Sequence, residues 1–126
     1  MFEIEVHDEF SAAHALRLYD GTWETRHGHN WKVSVVMRSE KLDRIGVVVD
    51  FEWLKPALRG VLKEFETISF NEHIDFKNDR LNPSTENIAK TICDRLKVKV
   101  PAGNNNACIV KVTVWETPDA SATYFP

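Results

Sequence analysis

Three histidines offer the clearest chemistry in this chain. His14 ends the run Phe10-Ser11-Ala12-Ala13-His14, and His27 and His29 sit in His27-Gly28-His29-Asn30-Trp31. Residues i and i+2 of an extended segment project from one face, so His27 and His29 can present two imidazoles side by side. A third imidazole from a neighbouring strand completes a three-nitrogen metal site. Zinc held by three protein ligands keeps its fourth position open, the arrangement of catalytic rather than structural sites. Taken alone, His27-Gly28-His29 also fits a pair of exposed strand histidines near a turn, and a short motif does not choose between the two. Two further places hold groups of interest. Glu116 stands at the end of an apolar strand, where a solvated carboxylate is also expected. Ser84-Thr85-Glu86 opens a helix, where capping alone accounts for the residue types.

These groups need elements to position them. Phe2, Ile4 and Val6 alternate with Glu3 and Glu5, which predicts a half-buried strand continuing toward His14. Tyr19-Asp20-Gly21-Thr22 signals a turn. A second strand is expected from near His29, with Trp31, Val33 and Val35 on one face. The run Ile45–Val49 leads into Asp50, a good helix N-cap. Trp53, Leu54, Ala57, Leu58, Val61, Leu62 and Phe65 then recur at helical spacing. Pro56 lacks the N–H that a helix interior needs, which predicts a late start or a kink.

Asn82–Asn87 opens a second helix, with Pro83 tolerated in its first turn and Ile88, Ala89, Ile92, Cys93 and Leu96 on its apolar face. A loop over 101–106 precedes a strong strand, Ile109–Trp115, and a short last one, Ala122–Phe125. The order is ββααββ. A four-stranded antiparallel sheet with two helices on one face meets the burial rules of an α+β domain. The sheet edges that remain favour oligomerisation through strand pairing.

Composition narrows the function classes. The chain has 126 residues, room for one domain over 1–126, with 43% hydrophobic and 28% charged residues. Its net charge of −3 and scattered Lys and Arg argue against a general nucleic-acid binder. No apolar stretch approaches the roughly 20 residues of a membrane span. Met1–Glu5 lacks the basic and apolar regions of a signal peptide, so a cytoplasmic location is expected. Cys93 and Cys108 suggest neither a disulfide framework nor a metal clip, and Cys93 reads as core.

Five motifs together carry a resemblance. They are Phe10–His14, His27–Asn30, Gly46-Val47-Val48-Val49-Asp50-Phe51, Asn82–Asn87 and Val114-Trp115-Glu116-Thr117. Their order and approximate spacing resemble the 6-pyruvoyltetrahydropterin synthase and 6-carboxytetrahydropterin synthase family across nearly the whole chain. The resemblance implies the tunnelling fold, with sheets of several subunits joined into a barrel, as a homohexamer built from two trimers. It implies zinc on His14, His27 and His29, and a pterin pocket at a subunit interface. It implies that Glu116 anchors the pterin. A carboxylate there can accept two parallel hydrogen bonds from the pyrimidine edge. Ser84, Thr85 and Glu86 match the segment lining the pocket.

The chain also departs from that family. The usual catalytic cysteine before the metal pair is replaced by Trp23. Where the family has Leu-Asp-His, ungapped counting reads Phe65-Glu66-Thr67, so the histidine is gone and Glu66 stands for the aspartate. Phe70-Asn71-Glu72 fits the segment that follows, which makes His73 an unrelated loop histidine. Glu24-Thr25-Arg26-His27-Gly28-His29 resembles the branch in which a glutamate replaces the cysteine as base.

That branch cleaves the side chain of 7,8-dihydroneopterin or its triphosphate to 6-hydroxymethyl-7,8-dihydropterin, a folate precursor. Formation of 6-carboxytetrahydropterin, on the path to queuosine-type nucleosides, is the alternative for most bacterial homologues. The expected catalytic set is Glu24, Glu66 and Glu116. Two other readings stay open: a non-catalytic zinc- and pterin-binding paralogue, and a structural zinc domain, against which Glu116 and Ser84–Glu86 argue.

Overall fold

Alternation in the first forty residues produces the longest pairing in the molecule. In the computed structural model, which describes every residue except Asp79 and Asn104, β1 (Phe2–His14) runs antiparallel to β2 (His27–Ser39). Their register is unbroken from Phe2 opposite Ser39 to His14 opposite His27. β3 (Cys108–Thr117) pairs with β2, and β4 (Ala120–Tyr124) pairs with β3, both antiparallel. The sheet order is β1-β2-β3-β4. With helices α1 (Phe51–Lys63) and α2 (Thr85–Lys97) between β2 and β3, the element order is the expected ββααββ. Asn104, in the expected loop over 101–106, lies outside the described residues.

The helices cover one face of the sheet. Val6, Phe10, Val33, Val35, Val112 and Val114 from the strands meet Leu54, Leu58 and Leu62 of α1 and Ile88, Ile92 and Leu96 of α2. Each such side chain contributes about 1.5–3 kcal/mol of transfer free energy when fully buried. Cys93 belongs to this core, and burial pushes its thiol pKa up. The opposite parity carries polar, exposed residues, among them Glu3, Glu5, His7, Glu9, Lys32 and Arg38, with Ser34 and Val36 buried between the last two.

Two helix starts differ in detail from expectation. α1 begins at Phe51, directly after the Asp50 cap, whose Oδ1 accepts from Glu52 N at 2.8 Å. Pro56 therefore lies inside the helix, and the late start is not observed. The missing N–H faces the Glu52 carbonyl, and both residues are exposed, so water can satisfy that oxygen. In α2, Ser84 is the N-cap, its Oγ accepting from Asn87 N at 3.2 Å. Pro83 thus precedes the cap instead of occupying the first turn.

The segment between the helices protects the sheet edge. Thr67 N donates to Ser11 O at 2.6 Å and Ala13 N to Ile68 O at 2.9 Å, so this segment lies along β1. Thr67 adopts φ 58°, a strained conformation for a β-branched residue. A single 3-10 turn, Phe70–Glu72, follows and buries Phe70 against Phe10, Trp31, Phe65 and Phe76. That turn has no clear sequence signature. No helix among the described residues is long and apolar enough to cross a membrane.

Candidate metal centre

Side-chain parity carries the histidines to one end of the core-facing surface. His14 shares a face with Phe10 and Ala12, and His27 and His29 share theirs with Trp31 and Val33. The register sets His14 opposite His27 and Ala12 opposite His29. On β3, Val112, Val114 and Glu116 have the same parity. The β3–β4 register shifts between Trp115 and Thr117, leaving Glu116 at an irregularity, a feature that re-aims a side chain. One ligand atom each from His14, His27, His29 and Glu116 lie within 4.8 Å of one another. The wholly buried Trp31 forms an apolar wall, its ring edge-on to His14 at 4.9 Å and to His29 at 5.2 Å.

Proton positions decide what this group can do. His14 Nδ1 lies 2.8 Å from the Pro83 carbonyl, and His27 Nδ1 lies 2.7 Å from the Thr25 carbonyl. A carbonyl only accepts, so each ring donates from Nδ1, and in the neutral ring Nε2 carries a lone pair. Those two Nε2 atoms are 3.1 Å apart. Glu116 Oε1 lies 2.9 Å from His14 Nε2 and 3.3 Å from His29 Nε2. His29 Nε2 is buried without a hydrogen bond, its approach to Glu116 being charge proximity only.

Burial lowers the His29 pKa below its ordinary 6.5; Glu116 opposes this, and His14 and His27 reinforce it. The Nε2 atoms of His14, His27 and His29 therefore converge with the Glu116 carboxylate on one point. Such an arrangement is repulsive without a cation and favourable around one. The residues present fit a metal ion.

Glu24 adjoins the group. Its backbone N donates to Leu16 O at 3.0 Å and its Oε1 accepts from Leu16 N at 2.9 Å. These bonds lie in a small hairpin closed by the Arg17–Trp23 bridge, with Gly21 at φ 84° in its turn. Glu24 Oε1 stands 3.9 Å from His27 Nε2. The carboxylate is thus half-buried and held beside the histidines without being one of the converging four.

The other expected site residues divide. Ser84 caps α2 one residue after Pro83, whose carbonyl holds His14, so Ser84-Thr85-Glu86 starts beside the cluster. Thr85 is half-buried and Glu86 exposed. Glu66 is engaged elsewhere: Oε1 accepts from Ser11 N at 3.2 Å and Oε2 from Arg59 at 3.2 Å. His73 bonds to Glu64 at 3.1 Å and packs on Phe65 and Phe76, away from the four converging groups. Sequence reasoning missed that Glu116 reaches the histidines themselves. The shared parity of Val112, Val114 and Glu116 was the available signal. The orienting carbonyls of Thr25 and Pro83 had none.

A four-stranded antiparallel sheet backed by two helices, with three histidines at one end of their shared face, defines a tunnelling-fold protein of the pterin-processing class. Residues 3–126 match the family described as 6-pyruvoyl tetrahydropterin synthase, and the chain belongs to that family. It is 34% identical over 128 residues to the 6-carboxy-5,6,7,8-tetrahydropterin synthase of Bacillus subtilis, covering 99% of this chain and 86% of that protein. It is 35% identical over 107 residues to the dihydroneopterin monophosphate aldolase of Pyrococcus furiosus, covering 85% of this chain and 82% of that one. The solved 6-pyruvoyl tetrahydropterin synthase of Caenorhabditis elegans superposes with a TM-score of 0.81 at 26% identity, covering 99% and 95% of the two chains.

Proposed function

We propose that this protein is a zinc-dependent lyase that cleaves the side chain of a 7,8-dihydroneopterin, free or phosphorylated, to 6-hydroxymethyl-7,8-dihydropterin. The observation that carries this reading is the Glu24 carboxylate, pinned by Leu16 beside the cluster of three histidines. His14, His27 and His29 would hold the ion, and three imidazole nitrogens suit zinc. When bound, zinc supplies Lewis acidity toward a hydroxyl oxygen of the substrate.

The chain's own groups do the rest. Glu116 keeps a second carboxylate oxygen, Oε2, to accept from the pterin's N–H groups, and the start of α2 at Ser84-Thr85-Glu86 borders the ring. Glu24 takes the proton of the side-chain hydroxyl on the carbon being released. The bond to the neighbouring carbon breaks, and its electron pair passes into the conjugated dihydropterin ring. Protonation of the ring-attached carbon then completes the hydroxymethyl group, and the released fragment leaves as an aldehyde. No cysteine is required, consistent with Trp23 in the usual cysteine's place. Glu66, tied to Ser11 and Arg59, supports the edge of β1 and has at most an indirect part.

The curated relatives include both a synthase and an aldolase by name, and the Glu24 arrangement favours the aldolase type of chemistry. The working unit in this reading is a cytoplasmic homohexamer whose sheets join into barrels, with the pocket completed at a subunit interface. Incubation of the zinc-loaded protein with dihydroneopterin, and with its phosphate esters, tests the proposal by mass spectrometry of products. 6-Hydroxymethyl-7,8-dihydropterin is expected. Pterin binding without turnover would favour the non-catalytic paralogue, and 6-carboxytetrahydropterin as the product would replace the lyase assignment.

A further inference from the structure

We infer that Asn71 and Asn82 are positioning residues for Glu24, each gripping one of the two peptide groups of Leu16 that aim its carboxylate. What Glu24 then does rests on the lyase reading above. β1 and its ladder with β2 end at His14. Beyond that point side-chain amides take over from strand partners. Asn71 Oδ1 accepts from Ala15 N and Asn71 Nδ2 donates to Ala15 O, both at 2.8 Å. Two residues on, Asn82 Oδ1 accepts from Arg17 N at 2.9 Å and Asn82 Nδ2 donates to Arg17 O at 3.1 Å. An asparagine amide offers both an acceptor and donors, so it can stand in for a peptide group as a backbone partner.

Peptide planarity turns these contacts into control of Glu24. The Ala15 carbonyl and the Leu16 N–H belong to one rigid plane. Asn71 holds the carbonyl end, and the N–H end donates to Glu24 Oε1 at 2.9 Å. The Leu16 carbonyl and the Arg17 N–H form the next plane. Asn82 holds its N–H end, and its carbonyl end accepts from Glu24 N at 3.0 Å. Tilting either plane breaks a bond to an asparagine and a bond to Glu24 together. Hydrogen bonds in a chain also polarise one another, so donation from Asn71 to Ala15 O makes the Leu16 N–H a stronger donor to the carboxylate.

Both asparagines come from segments anchored outside the hairpin that carries Glu24. Asn71 lies in the 3-10 turn Phe70–Glu72, whose Phe70 is wholly buried in the core. Asn82 lies just before α2, and its own carbonyl accepts from Ser84 N at 2.8 Å and from Asn87 Nδ2 at 2.9 Å. Both side chains are half-buried, whereas every residue of the hairpin from Arg17 to Trp23 is exposed. The hairpin is therefore fixed at its base, by these two amides, and not by packing at its tip.

Two measurements on the zinc-loaded protein test the assignment. Hydrogen–deuterium exchange reads the grip without turnover. Asn71→Ala should speed exchange at the Leu16 amide about tenfold, the size of one lost hydrogen bond, and Asn82→Ala should do the same at the Glu24 amide. Turnover reads the consequence. Asn71→Ala should lower kcat on dihydroneopterin roughly 10- to 100-fold, the effect of a misplaced catalytic group, with KM unchanged. Zinc content should also be unchanged, a necessary control because Ala15 follows His14. In a Glu24→Gln background the same substitution should lower kcat no further, because residues acting as one unit do not add. Asn82→Ala should follow this pattern less strongly, since it holds the backbone of Glu24 and not its carboxylate. Thermal melting checks the fold, and Asn71→Ser, which keeps a hydroxyl toward Ala15, replaces Asn71→Ala if that variant melts early.

Unchanged exchange at Leu16 would overturn the positioning role, as would a loss of kcat that is equal in both backgrounds or that comes with a loss of zinc. The lyase reading fails separately. Unchanged kcat in Asn71→Ala beside a large loss in Glu24→Gln removes the positioning role and keeps the lyase. Faster Leu16 exchange in a protein that cleaves no dihydroneopterin keeps the grip on Glu24 and removes the lyase.

Discussion

His14 and His73 are both nearly buried, and both lie against carboxylates, yet their surroundings are opposite in kind. Around His73 the carboxylates of Glu64 and Asp75 each meet donors. The His73 Nδ1 accepts from Asp75 N at 3.2 Å and its Nε2 faces Glu64 at 3.1 Å, so the ring proton belongs on Nε2 and is given to Glu64. Arg95 then serves Glu64 from Nε at 3.1 Å and reaches Asp75 as well. This network ties the end of α1 to α2 and to the loop after Phe70.

Around His14 the balance is reversed. The Nδ1 protons of His14 and His27 go outward to carbonyls, and lone pairs point inward at one another and at Glu116. A set of groups rich in donors closes on itself and serves stability. One in which ring nitrogens and a carboxylate converge could hold a cation. Residue types alone do not separate the two, since both are built from His and Glu.

Substitutions on the two sides should therefore behave differently. The largest effect is expected from His29→Ala, which should strip most of the metal, and with it all turnover, while the fold survives. Elemental analysis of the purified protein reads this directly, and full zinc occupancy would undo the contrast just drawn. His73→Ala should keep its metal.

Next in size is Glu24→Gln. It should retain zinc and pterin binding and lose turnover by roughly 10²- to 10⁴-fold, the usual share of a general base. Wild-type rates in that variant would return Glu24 to a structural role in its hairpin. Glu66→Gln should do less, since its partners are Ser11 and Arg59.

Glu116→Gln sharpens the comparison from inside the cluster. It keeps the shape but replaces one acceptor with a donor. Pterin affinity should fall by about 2–5 kcal/mol if a buried charge-assisted contact is lost, as measured by calorimetry. Loss of zinc without loss of pterin affinity would instead assign Glu116 to the metal alone.

The donor-rich side should respond in stability only. His73→Ala removes packing on Phe65 and Phe76 and one hydrogen bond, and should cost roughly 1–3 kcal/mol in denaturant unfolding.

The smallest effect concerns pH. Burial opposes the charged form of Glu64, but hydrogen bonds from Arg95 and His73 outweigh it and hold the pKa below its ordinary 4.5. The unfolded chain thus takes up this proton first. The Glu64 contribution is complete above 4.5 and is lost as pH falls through the lower, folded value. Unfolding midpoints of Glu64→Gln should consequently decline less steeply in acid than those of the wild type, and parallel curves would remove this contribution.

Much of the framework was legible beforehand because it rests on local periodicity. Alternation marked β1 and β2, the 3.6-residue repeat marked the buried faces of both helices, and Asp50 announced its cap. The two-residue spacing of His27 and His29 needed only an extended backbone to put both on one face. Pro56 misled, because a missing N–H costs little where the facing carbonyl meets water.

What the tertiary structure alone decided is where the protons lie and which carboxylate joins the histidines. The carbonyl that orients His14 belongs to Pro83, 69 residues away in sequence. Glu116 reaches the cluster from a third strand at a register shift, and Glu24 is held by Leu16 across a hairpin. Periodicity reports which face a side chain takes. It carries no information about the direction of a distant carbonyl, because that direction follows from how irregular segments meet after the sheet and helices have packed.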